Sequence, residues 1–173
     1  TVKEAAPVPI ESVLGVGDPV TNEIQGRLVN LTGHFDSSKQ AVSPGREISG
    51  KPSAVIVTDF RITEGDLKGV HVPVARGYVG ESPADVAAVP TAPTETVTIV
   101  ARLEASEGAS EGLDHQGDYP YPVLSTISSP QLVNMWGGPM LTSYLAITDP
   151  ALTNMKSAAV SYTHLRAHET EAD

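Results

Sequence analysis

Ser53-Ala-Val-Ile-Val-Thr-Asp-Phe-Arg-Ile62 decides the fold class. In an extended chain, alternate side chains face opposite sides. Ala54, Ile56, Thr58, Phe60 and Ile62 then share one face, and Val55, Val57 and Asp59 the other. A strand apolar on both faces at its start belongs in a barrel or a covered sheet. Upstream, Arg27 to Gly33 reads as a strand, with Val29 and Leu31 on one face. Ser43-Pro44-Gly45 and Glu64-Gly65-Asp66 read as turns. Downstream, Gly69 to Ala75 sets Val70, Val72 and Val74 against His71 and Pro73. Pro73 has no N–H to donate, so an edge or a bulge is expected there.

Thr96 to Leu103, Val123 to Ile127 and Leu141 to Ile147 complete the expected strands. Glu81 to Pro93 and Ser106 to Pro122 read as surface loops. Ile10 to Leu14 suits one helical turn before Gly15. Ser129 is placed as an N-cap with Pro130 at the first helical position, and Gly137-Gly138 as the stop. The expected architecture is a single α+β domain. It is mainly an antiparallel, barrel-like sheet with one or two short helices.

A net charge of -10, from 21 acidic and 11 basic residues, repels phosphate backbones and anionic lipid. Nucleic acid is therefore excluded as an expected partner. The chain has no Cys, which removes disulfides, thiolate metal sites and Cys nucleophiles. No apolar run reaches the length of a membrane span. The first residue is Thr1 rather than Met, so an upstream piece is expected.

Each candidate site has a plainer reading beside it. Gly45 to Lys51 matches most of a P-loop, but Pro52 stands where a hydroxyl would meet magnesium. An ordinary Gly-rich loop is expected. His164 and His168 have the i, i+4 spacing of zinc ligands. However, Val160 to Thr170 corresponds to a translated transposase-adapter read. Residues 160–173 are therefore expected to be a non-native tail, and 1–159 the domain. His34, His71 and His115 lie on separate segments. Ordinary surface histidines are expected, with a metal or haem ligand as the alternative reading of His34 or His71. The acidic run from Glu104 to Asp118 lacks an EF-hand pattern and reads as a solvated loop. No Gly-x-Ser-x-Gly elbow is present. Arg76-Gly77-Tyr78 is the most informative motif. An Arg at a strand end, followed by Gly and an aromatic, suits either a structural ion pair closing the sheet or a partner contact. Arg76 is expected to be buried and paired with a carboxylate or several carbonyls.

Gly33-His34-Phe35-Asp36, Val57-Thr58-Asp59-Phe60, Val74-Ala75-Arg76-Gly77-Tyr78-Val79 and Val97 to Leu103 occur in that order. Together they resemble the surfeit locus protein 1 family, which assists cytochrome c oxidase assembly. The resemblance runs from about Pro7 to Pro150. The sequence departs from the family pattern at Asp59, where Pro is usual, and at Ala75, Tyr78, Gly80 and Ala101.

The resemblance implies an extracytoplasmic domain of a bacterial protein held in the cell membrane by two helices, both expected outside this chain. It implies oxidase subunits or the haem a synthesis machinery as partners. The family's suggested haem a contact lies near the second helix, so no cofactor is expected in this fragment, and no catalysis. No catalytic, cofactor-binding or metal residue is assigned. Arg76, Gly77 and Tyr78 are the candidate structural or partner motif. Two rival readings are a free extracytoplasmic module for a small ligand or peptide, and a hydrolase or metal enzyme whose site forms only in the fold.

Overall fold

A computed structural model describes residues 6–108 and 117–155. His115 and the tail that holds His164 and His168 lie outside the described residues. The strands are β1 (Val8–Pro9), β2 (Leu28–Ile48), β3 (Lys51–Ile62), β4 (His71–Gly80), β5 (Val97–Ala105) and β6 (Ser143–Ile147). Two short helices join them, α1 (Pro83–Ala87) and α2 (Ser129–Trp136). Single 3-10 turns cover Ile10–Ser12 and Pro150–Thr153. No helix among the described residues is long and apolar enough to cross a membrane.

The sheet runs β1-β2-β3-β4-β6-β5, and a further β2–β5 pairing closes it into a ring. It is mainly antiparallel, as expected, through the β2–β3, β3–β4, β2–β5 and β5–β6 pairings, but it is mixed. β1 pairs with β2 in parallel, and so does β4 with β6. Ring is also a better word than barrel. The β4–β6 seam holds only Val74↔Leu145 and Ala75↔Ala146, with one isolated bridge at His71↔Met140.

β2 makes closure possible because it serves two partners. Leu28 to Gly33 pair with β5, and Gly33 to Ile48 pair with β3. Gly33 is in register with both Val97 and Ile62. Beyond it, register shifts at Asp36/Gln40 and Ser43/Arg46 bend the strand. The Ser43-Pro44-Gly45 stretch is thus a bulge inside β2 and not the expected turn. The real turn is Ser49-Gly50, both at positive φ, in a two-residue hairpin between Ile48 and Lys51. Lys51 opens a strand, so the P-loop-like stretch has no helix N-terminus to face a phosphate.

Three other segments depart from expectation. Pro73 lies within β4 opposite Asp59, at neither an edge nor a bulge. His71 directs its N–H to Pro139 and its C=O to Leu141, on the β6 side. Two residues on, Pro73 points the same way, into the gap before the β6 ladder, so its missing donor costs no β3 bond. Val123 to Ile127 is not a strand; Val42↔Val123 is a lone parallel bridge. Glu81 to Pro93 is more than a surface loop. It contains α1, capped by the Ser82 hydroxyl, and buries Val86 and Ala92. The N-cap of α2 is Ser128, one residue before the expected Ser129, and Gly137 at φ 88 ends the helix.

Both faces of the sheet are covered. Phe35, Phe60, Ile62, Val72, Val74, Ile99, Leu103 and Leu145 fill the ring interior, where Phe35 and Phe60 meet edge to face. Ala41 and Val57 point outward and are covered by Leu132 and Trp136 of α2 and by Met140. This explains why Ser53 to Ile62 is apolar on both sides. Val42, Ala54 and Ile56 form a further cluster with Val86 of α1 and Met155.

Candidate functional site

The register of β3 and β4 slips between Ile56 and Val57. Ile56 pairs with Gly77 and Val57 with Ala75, which leaves Arg76 as the extra residue of a β-bulge. Gly77 supports the bulge at φ 150, a backbone angle that favours glycine. Arg76 is fully buried and is the largest fully buried side chain among the described residues. Its Nη1 donates to Gln40 Oε1 at 2.8 Å, and its Nη2 to the carbonyls of Pro90 at 2.8 Å and Thr153 at 2.6 Å. Thr58 Oγ1 also donates to Gln40 Oε1, at 2.6 Å. Arg76, Gln40 and Thr58 thus form a polar layer between the Phe60 and Ile56 clusters.

No carboxylate contacts Arg76 among the described residues. Of the two expected kinds of partner, a carboxylate or several carbonyls, the structure has the second, with three carbonyl-type oxygens. Burial without a counter-charge pushes the guanidinium pKa down to about 10. The group still carries its charge at neutral pH. Tyr78 follows the bulge, half-buried and in register with Val55.

On the outer face, cross-strand partners bring a second polar group together. Asp36, Asp59 and Pro73 form one row across β2, β3 and β4, and His34, Arg61 and His71 the next. His71 Nδ1 lies 2.7 Å from Asp59 Oδ2. The His71 side chain is 14% exposed and that of Asp59 1% exposed. Asp59 Oδ1 has no hydrogen-bond partner among the described residues. Lys39 donates to the Trp136 carbonyl at the end of α2 and stands 3.8 Å from Asp36. The Ser38 hydroxyl bonded to Asp36 holds that carboxyl below its usual range. Burial raises the carboxyl of Asp59, and the His71 hydrogen bond only partly offsets it.

The raised Asp59 value fixes the sign of a pH effect. The folded state holds this proton more tightly than the unfolded state does. The resulting stability is fully present below the unfolded carboxyl value and is lost as pH rises through the folded one. Asp59→Asn keeps an acceptor for His71 and removes the buried charge. It is expected to leave stability at neutral pH unchanged or raise it by roughly 1 kcal/mol. It is also expected to flatten the acid-range slope in denaturant titrations. A loss above about 2 kcal/mol at neutral pH would show that the charged pair stabilises the fold.

The remaining sequence candidates do not converge on either group. His34 Nε2 turns to Thr96 Oγ1 at 3.1 Å. It sits two strands from His71, a separation of roughly 10 Å. The described residues contain no group of three or more His, Cys, Asp or Glu side chains able to hold a metal ion. An ion pair that sequence reasoning missed lies at the acidic loop. Arg46 binds both oxygens of Glu107, at 2.8 and 2.9 Å, and the Ile127 N–H donates to Glu107 Oε1. Arg46 and Glu107 are far apart in sequence, so no local pattern announces the pair. The Asp59–His71 contact was hidden in the same way. Its one signal was an acid inside the otherwise apolar start and end of β3.

The chain matches the model of the SURF1 family over residues 2–171. It is 29% identical over 147 residues to uncharacterized SURF1-like proteins of Mycobacterium bovis and Mycobacterium tuberculosis. The aligned region covers 84% of this chain and 53% of each relative. The chain therefore spans about half the length of the curated relatives that it matches. The resemblance read from about Pro7 to Pro150 lies wholly within the matched region. The chain belongs to the SURF1 family.

Proposed function

We propose that this chain is the extracytoplasmic domain of a bacterial, membrane-anchored protein that assists assembly of cytochrome c oxidase. The observation that carries the reading is the family match over residues 2–171. In this reading the domain holds oxidase subunits or the haem a synthesis machinery while the oxidase core matures. It performs no catalysis, and any contact with haem a belongs to the membrane part of the parent. The working domain ends near Ala159, before the adapter-like tail. The acidic balance of the chain agrees with a protein partner rather than nucleic acid.

One observation favours a second reading, that of a hydrolase. Asp59 orients His71, which is two thirds of a charge-assisted triad. The remaining part would be a nucleophile at His71 Nε2, and no hydroxyl is hydrogen-bonded there among the described residues. The pair also serves the fold without one, as a buried polar contact between β3 and β4.

Deletion of the parent gene tests the proposal. Membranes of the deletion strain are expected to lose cytochrome c oxidase activity while upstream respiratory dehydrogenases keep theirs. Unchanged oxidase activity would overturn the assembly reading.

A further inference from the structure

Ala151 to Met155 lie across the ring beside β4 without pairing with any strand among the described residues. A single 3-10 turn of this length has no stability of its own in water. Its order depends on what grips it. The Arg76 guanidinium donates from inside the ring to the Thr153 carbonyl at 2.6 Å, and the Thr153 hydroxyl returns a bond to the Arg76 carbonyl at 3.4 Å. Met155, 1% exposed, enters the cluster of Val42, Ala54, Ile56 and Val86. Asn154 bonds the Thr91 carbonyl at 2.8 Å. The rest of the segment faces outward, with Leu152 38% exposed.

The grip opposes itself. Arg76 is a fully buried cation with no carboxylate beside it, and its Nε has no hydrogen-bond partner among the described residues. Such a charge is costly to keep from water. Lifting residues 151–155 frees one guanidinium donor and opens a way for solvent to reach the charge. The hydration regained offsets part of the bond lost. No ladder hydrogen bond needs to break.

We propose that residues 151–155 form a releasable strap, clasped by Arg76 and Met155, that opens as a unit while the ring of strands stays folded. This inference does not depend on the assembly reading.

Hydrogen exchange followed by mass spectrometry on the full chain tests it. The Leu152 N–H donates to the Asp149 carbonyl and the Asn154 N–H to the Ala151 carbonyl, so their protection reports whether the turn is held in place. In the unmodified chain they are expected to be protected, yet to exchange well before the amides of β3. Arg76→Lys and Met155→Ala are each expected to speed strap exchange roughly 10- to 100-fold. Gly33→Ala, which strains the ring and not the strap, is expected to speed β3 exchange and leave strap exchange unchanged. Should Arg76→Lys not fold, Met155→Ala decides alone, because it leaves the polar layer intact. The proposal is overturned if strap and β3 exchange together in the unmodified chain. It is equally overturned if the strap shows no protection, or if Gly33→Ala accelerates both regions alike.

Discussion

Gly33→Ala is expected to destabilise the domain more than any other single methyl addition. Gly33 is the residue at which β2 hands over from β5 to β3, and it is buried between Val97 and Ile62. A Cβ there would overlap the Arg61 carbonyl oxygen and approach the Arg61 carbonyl carbon at 2.9 Å and Ile62 Cα at 3.0 Å. These are backbone atoms within a paired strand, so no flexible side chain can yield. Relief requires β2 and β3 to separate just where the ring closes. The expected loss is on the order of 3 kcal/mol, the upper end for overpacking. Equilibrium denaturation measures it. A variant within about 0.5 kcal/mol of the parent would show that the closure has slack.

Arg76→Ala is expected to cost about 3–5 kcal/mol, by a different route. Truncation removes the largest fully buried side chain and leaves a cavity between two apolar clusters. It also strands the carbonyls of Pro90 and Thr153, whereas Gln40 Oε1 keeps its bond from Thr58. Relief of the uncompensated charge offsets part of the loss. Arg76→Met fills most of the cavity without restoring the bonds, and is expected to cost less than Arg76→Ala. If both variants match the parent in denaturant midpoint, the polar layer contributes nothing to the fold.

The main strands were legible because burial repeats along them. Ser53 to Ile62 showed apolar residues on both faces, and both are covered, from inside by Phe35 and from outside by α2. Arg27 to Gly33 read correctly as a strand, but the chain continues as β2 to Ile48. Two register shifts carry it through Ser37-Ser38-Lys39 and Pro44-Gly45, where alternation of period two breaks down. Bulges erase the only periodic signal that a strand has. The parallel β4–β6 seam was illegible for another reason. It joins residues some 70 apart through two contacts, Val74↔Leu145 and Ala75↔Ala146, and sequence carries no register for such a pairing.

The motif Gly33-His34-Phe35-Asp36 makes physical sense in the fold. Gly33 permits closure, Phe35 packs on Phe60, and Asp36 receives the Ser38 N–H and hydroxyl at the bulge. Arg76 stood out in the sequence, but its direction did not. A bulge turns it into the ring, and that bulge depends on β3. Asp59 looked like a departure in a family motif; its partner His71 comes from the next strand.

The most direct test of the central claim joins the closed ring to oxidase assembly. A strain lacking the parent gene is supplied with the full-length parent, either unchanged or carrying Gly33→Ala. The haem a absorbance band of its membranes is then measured. The unchanged parent is expected to restore the band, and Gly33→Ala to leave it at the level of the deletion strain. Full restoration by Gly33→Ala, with the variant domain shown to be unfolded, would contradict the claim that this closed domain carries the assembly function.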